Sequence, residues 1–124
     1  MPGRLRVLIV DDHPSVARAV SRLLTFDYDV VGALSHAKGM LEAARSLDAE
    51  VILLDINLPD IDGLTACRQV IQAHPDIKVV VFTAADDPNT RRRAFEAGAC
   101  AVVDKVEFGG ELLSTLKRLD AGRN

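Results

Sequence analysis

Five short aliphatic runs punctuate this chain, and polar groups gather where four of them end. The runs are Leu5–Val10, Asp29–Leu34, Val51–Leu54, Val79–Phe82 and Ala101–Val103. Asp11 and Asp12 follow the first, Asp55 the third, Thr83 the fourth and, after Asp104, Lys105 the fifth. Near-continuous aliphatic runs of this length suit strands buried on both faces, as in a parallel sheet. Between the runs the apolar spacing turns helical. Val16, Val20, Leu23 and Leu24 follow Pro14, which suits a first helical turn because no partner awaits its missing N–H. Met40, Leu41, Ala44 and Leu47 mark a second helix, and Leu64, Cys67, Val70 and Ile71 a third that stops at Pro75. Ala94, Phe95 and Ala97 follow Pro88 and end at Gly98; Leu112, Leu113, Leu116 and Leu119 form the last amphipathic stretch.

An unbroken strand–helix alternation with short links predicts an α/β fold. It takes the form of a flavodoxin-like (βα)5 three-layer sandwich, a parallel five-stranded sheet with right-handed crossovers. Strand order 2-1-3-4-5 places strands one and three side by side where the order reverses, and ligands bind beyond the carboxyl ends at that point. The 124 residues make one domain, with 48% hydrophobic content and a formal charge of −3. That balance excludes a disordered tail or a nucleic-acid-coating protein. The apolar runs are too short to cross a bilayer, and the amino terminus has no secretory segment, so no membrane role and a cytoplasmic location are expected. Cys67 and Cys100 form no CxxC pair and read as buried free thiols. No linker divides residues 1–124, no effector domain follows within them, and Ala121–Asn124 reads as a frayed end or cut linker.

The predicted edge brings Asp11, Asp12 and Asp55 close together. Carboxylates that near repel one another, and a hard divalent cation resolves the conflict. Magnesium suits the site, since it takes oxygen ligands and often uses one or two carboxylates with a phosphate. A carboxylate such as Asp55 can then act as nucleophile toward phosphorus and become an acyl phosphate. The cation and Lys105 would neutralise the phosphoryl oxygens, and Thr83 could donate a hydrogen bond to one of them. Singly, each of these residues has a plainer reading, as a solvated or capping group at a strand end.

The motifs Val10-Asp11-Asp12-His13-Pro14, Leu54-Asp55-Ile56-Asn57-Leu58-Pro59-Asp60-Ile61-Asp62-Gly63, Phe82-Thr83-Ala84 and Asp104-Lys105 occur in one order and spacing. Over essentially its whole length the chain resembles the receiver domain of bacterial two-component response regulators. The resemblance implies Asp55 as phosphoacceptor. It implies Mg2+ on Asp12, Asp55 and the backbone carbonyl of Asn57, with Asp11 acting partly through water. It further implies that Thr83 and Lys105 contact the phosphoryl group, that Ala84 is the small residue keeping access open, and that Asn57 and Ala85 tune hydrolysis. The donor would be a sensor histidine kinase or a histidine phosphotransfer protein. A homodimer could use the fourth helix, fifth strand and fifth helix. The Asp-Asp-His-Pro loop resembles the NarL/LuxR-type branch, whose members usually carry a C-terminal helix-turn-helix.

Two positions depart from the family pattern. Val106 stands where a proline usually follows the lysine after a cis bond. A non-proline cis bond costs about 3 kcal/mol, so Lys105–Val106 is expected to be trans. Val102 stands at the switch position, where an aromatic often pairs with the movement of Thr83. It is expected to pack as an ordinary strand residue, leaving signals to pass through Thr83 and the Asp86–Asn89 loop.

Other polar residues invite plainer readings. Arg91-Arg92-Arg93 reads as a solvated face of the fourth helix or an interface, with no direct nucleic-acid contact. His13 could be a general base, but its place before Pro14 favours a turn-shaping role. His36 and His74 read as surface or helix-end residues. Asp62 suits an N-cap, and Asp60 is expected to be solvated. The leading reading is a phosphorylation-activated signalling switch. The alternative is a pseudo-receiver, an interaction module that does not use phosphate. A turnover enzyme is disfavoured because Asn57, not an acid, lies two residues beyond Asp55.

Overall fold

In the computed structural model, residues 3–106 and 109–123 are described. The alternation folds as β1 (Arg6–Val10), α1 (Pro14–Leu24), β2 (Asp29–Leu34), α2 (Met40–Ser46) and β3 (Val51–Leu54). It continues as α3 (Gly63–Ala73), β4 (Lys78–Thr83), α4 (Pro88–Glu96), β5 (Ala101–Asp104) and α5 (Gly110–Gly122). All four strand pairings are parallel, in the order β2-β1-β3-β4-β5. The predicted fold class is therefore the observed one.

Strand alternation divides the core between the two faces of the sheet. Leu8, Val10, Ile52, Leu54, Val79, Val81 and Val102 point to one side, against Met40 and Ala44 of α2, Leu64, Cys67 and Val70 of α3 and Ala94 of α4. Val7, Ile9, Val51, Leu53, Val80, Phe82 and Val103 point to the other, against Val20 and Leu24 of α1 and Leu112 and Leu116 of α5. Burying a side chain of this kind contributes about 1.5–3 kcal/mol. Val102 is 3% exposed and packs as a strand residue.

Helix ends follow local chemistry. Pro14 and Pro88 sit in the first turns of α1 and α4. Asp62 caps α3 by accepting from the Leu64 N–H at 3.2 Å, as its position suggested. Asp87 caps α4 by accepting from the Thr90 N–H at 2.8 Å, and that bond holds its carboxyl below the usual range. Gly98 follows α4 with φ of 104°, a left-handed turn that lets the chain leave the helix.

Two sequence expectations need correction. Cys67 is buried and its thiol is pushed up to about 11 by burial, but Cys100 is exposed. It lies just before β5, an edge strand with no neighbour beyond it, so aliphatic sequence neighbours do not cover it. Ala121 and Gly122 are not frayed; they extend α5, and Arg123 is tied back to Glu50 at 2.9 and 3.0 Å. Asn124 lies outside the described residues. Among the described residues no peptide bond is cis, so Lys105–Val106 is trans as expected. No described helix is long and apolar enough to cross a membrane.

Candidate functional site

The parallel ladder extends one step past the strand ends and so fixes the site residues in register. The Asp11 N–H donates to the Leu34 carbonyl, the Asp55 N–H to the Val10 carbonyl and the Lys105 N–H to the Thr83 carbonyl, each at 2.9 Å. Asp11, Asp55, Thr83 and Lys105 thus reach the same edge because their strands do. Gly63 keeps the β3–α3 connection tight. A Cβ there would lie 2.5 Å from the Ile56 Cα and 3.0 Å from the Asp55 carbonyl oxygen.

Asp11 and Asp55 are 4% and 3% exposed. Lys105 Nζ lies 2.6 Å from Asp11 Oδ2 and 3.1 Å from Asp55 Oδ2, so one ammonium serves two carboxylates. It also stands 5.7 Å from the centre of the Phe82 ring, a cation–π placement. Asp55 Oδ1 accepts from the Asn57 N–H at 3.0 Å. Asp11 Oδ1 accepts from the His13 N–H at 2.9 Å.

His13 is the residue the sequence reading undervalued. Its Nδ1 lies 2.9 Å from Asp11 Oδ1, 3.1 Å from Asp12 Oδ1 and 3.6 Å from Asp55 Oδ2. A turn-shaping role holds for its backbone, but its ring joins the acidic cluster. The available signal was the pairing of an aspartate with a residue two positions on, the spacing of an Asx turn.

Three carboxylates face a single lysine here, so the cluster carries excess negative charge. Asp11 Oδ2 and Asp12 Oδ1 are buried without a hydrogen-bond partner. Asp11 Oδ2 has the Lys105 ammonium beside it at 2.6 Å as a charge partner. Buried carboxylate oxygens without donors are costly. A divalent cation would supply what they lack, and Asp11, Asp12, His13 and Asp55 each present a donor atom within 4.8 Å of the others.

The remaining predicted residues line the rim. Thr83 is fully buried, and its Oγ1 accepts from the Ala85 N–H at 3.0 Å. That leaves its O–H as a donor, but the hydroxyl makes no hydrogen bond to Asp55 or to the Lys105 ammonium. Asn57, Ala84 and Ala85 are exposed. Asp60 is exposed, as expected, but it also does structural work. Its carboxylate accepts from the Ala37 and Lys38 N–H groups at 2.8 and 2.7 Å, and the Ala37 bond leads in lowering its pKa. It pins the β2–α2 connection to the β3–α3 loop. Arg91 likewise is no simple surface residue. Its Nη1 meets both oxygens of Asp86 at 3.1 and 2.9 Å and stands 3.5 Å from the Val102 carbonyl oxygen.

The family model described as "Response regulator receiver domain" matches residues 7–117. "Response regulator GacA" of Pseudomonas viridiflava is 36% identical over 122 residues, covering 96% of this chain and 56% of that protein. The chain spans a little over half the length of the curated relatives it matches. A LuxR-family two-component response regulator from Aurantimonas sp. SI85-9A1 superposes with a TM-score of 0.90 at 29% identity, covering 98% of this chain and 89% of that one. A BeF3-activated DrrB receiver domain gives a TM-score of 0.81 at 28% identity, with 97% and 99% covered.

Proposed function

The chain belongs to the response regulator receiver domain family, and on that premise we propose that it is a phosphorylation-activated signalling switch with Asp55 as phosphoacceptor. One observation carries the reading. Asp55 is a nearly buried carboxylate, flanked by acids on one side and by Lys105 Nζ at 3.1 Å on the other. The donor is the phosphohistidine of a sensor histidine kinase or a histidine phosphotransfer protein. A carboxylate oxygen of Asp55 attacks phosphorus, the P–N bond breaks, and the imidazole leaves with a proton.

Each residue then has a task. Asp12, Asp55 and the Asn57 carbonyl, with Asp11 partly through water, would hold Mg2+. When bound, Mg2+ supplies positive charge against both the carboxylates and the phosphoryl oxygens. Lys105 exchanges its contact with the Asp55 carboxylate for a phosphoryl oxygen. Thr83 turns its O–H toward another, and Ala84 leaves the approach open. Asn57 and Ala85, exposed at the rim, control how water reaches the acyl phosphate. The activation of the DrrB receiver by BeF3, a phosphoryl mimic, supports this scheme. Dimerisation through α4–β5–α5 is part of the proposed output. Self-phosphorylation and slow self-hydrolysis do not amount to enzyme turnover.

Incubation with acetyl phosphate and Mg2+ should place a hydroxylamine-labile phosphate on the chain, and Asp55→Asn should abolish it. Label persisting on that variant sinks the assignment. Absence of both label and Mg2+ binding in the unmodified chain would favour a phosphate-independent interaction module.

A further inference from the structure

The proposed cation site is not built from oxygen alone. We infer that His13 Nδ1 is a fourth protein donor to it, so that the site takes a nitrogen-seeking divalent ion of the first transition row, such as Co2+ or Zn2+, far more tightly than Mg2+. The inference rests on reading this edge as a cation site and adds the class of ion it selects.

Donor spacing is the first support. Adjacent ligands at about 2.1 Å from an octahedral ion sit about 3.0 Å apart. His13 Nδ1 lies 2.9 Å from Asp11 Oδ1 and 3.1 Å from Asp12 Oδ1, with Asp55 Oδ2 at 3.6 Å. The separations to Asp11 and Asp12 match such an edge, and that to Asp55 is longer. At Asp11 the two approach different oxygens, Lys105 Oδ2 and His13 Oδ1; at Asp55 they share Oδ2, which Lys105 at 3.1 Å must yield to the ion.

The ring is also anchored. Residue 13 has φ of −102° and ψ of 97°, extended as a residue before proline must be. Its own N–H is bonded to Asp11 Oδ1 at 2.9 Å. The ring itself lies against Asp11 Oδ1, with Nδ1 at 2.9 Å. Asp12 Oδ1, a buried atom without a hydrogen-bond partner, lies 3.1 Å from His13 Nδ1. The His13 side chain is 57% exposed, which leaves room for the waters that complete a coordination shell.

Chemistry gives the selectivity. Carboxylate, carbonyl and water suit Mg2+, whereas imidazole suits transition ions, and adding a nitrogen donor raises affinity for the latter only. The competing account is an ordinary hydrogen bond from Nδ1–H to Asp11, which would leave ion selectivity untouched.

Titration of the purified chain with Co2+, followed by its visible absorption, and separately with Mg2+, decides between them. Displacement of the Co2+ spectrum by excess Mg2+ locates both ions in one site. His13→Ala should weaken Co2+ binding by about ten- to a hundredfold, the scale on which ligand shells respond, and change Mg2+ binding less than about twofold. Cu2+ electron spin resonance should show imidazole nitrogen coupling that the variant loses and His36→Ala and His74→Ala retain. Unchanged Co2+ binding in His13→Ala, or equal weakening of both ions, overturns this inference while leaving the Mg2+ site standing. Failure of the unmodified chain to bind either ion overturns both.

Discussion

The two ends of the sheet carry similar numbers of charged groups and treat them in opposite ways. At the amino end, Glu50 lies between Arg6 and Arg123. It accepts from Arg123 Nη1 at 2.9 and 3.0 Å and from the Arg6 N–H at 3.0 Å. Arg123 also donates to Asp120 at 2.8 Å and to the Gly3 carbonyl, and Arg6 Nε donates to the Asp48 carbonyl at 2.6 Å. Two acids meet two arginines, so the cluster is neutral and satisfied. At the carboxyl end, Asp11, Asp12 and Asp55 meet Lys105 and the His13 ring, and Asp12 Oδ1 is buried without a hydrogen-bond partner. A self-neutralised cluster holds the chain together. An unbalanced one presents net negative charge, which a cation can meet.

Divalent ions should give the largest effect, and on one end only. At a hundred times its dissociation constant, a ligand that binds only the folded state stabilises by about 2.7 kcal/mol. Mg2+ should raise the melting temperature of the unmodified chain accordingly. Asp12→Asn should abolish that rise and, without divalent ions, should leave stability unchanged or increased because it removes repulsion. A variant that lost stability in metal-free buffer would mean the carboxyl edge is balanced after all. Thermal denaturation with and without Mg2+ measures both.

Glu50→Gln should behave oppositely. It leaves Arg6 and Arg123 facing each other over a group that no longer carries charge. The cost should be about 1 kcal/mol, the upper range for a partly exposed pair, since the ions are only partly shielded from water. The loss should shrink in high salt and be indifferent to Mg2+. A Mg2+-sensitive loss would show that the ends of the sheet are coupled.

The same contrast explains what the sequence made legible. Strands β1, β3 and β4 were visible because burial on both faces demands aliphatic residues without alternation. Chain direction alone then carried Asp11, Asp12, Asp55 and Lys105 to one edge. What escaped depended on single torsions or long side chains. The His13 ring reaches the acids through an Asx turn whose geometry no periodicity encodes. Asp60 reaches Ala37 and Lys38 across two loops separated by 23 residues. Arg123 finds Glu50 from 73 residues away, which made the carboxyl terminus look loose. Cys100 was misjudged because its neighbours are apolar in sequence while the strand they lead into lies at the sheet's edge.

Arg91 offers the smallest effect, and the one that bears on how the unbalanced edge could signal. The chain lacks an aromatic at Val102, whose side chain is committed to the core. Two polar links joined by the Ala85–Asp86 backbone nevertheless lead away from the site. Thr83 Oγ1 accepts from the Ala85 N–H, Asp86 follows, and Arg91 joins Asp86 to the neighbourhood of the Val102 carbonyl at 3.5 Å. The side chain of Asp86 is 14% exposed and that of Arg91 42%, so solvent screens the pair and its net worth is under about 1 kcal/mol. Arg91→Ala should therefore cost little stability. Its effect should appear in how far a rearrangement of Thr83 travels. With BeF3 and Mg2+ bound at Asp55, backbone amide shifts should run from Thr83 through Asp86 to β5 in the unmodified chain. In Arg91→Ala they should stop at the β4–α4 connection. Equal shifts at β5 in both proteins would show that the route runs through the packed core instead, by way of the strand backbone that carries Thr83 against Asp104.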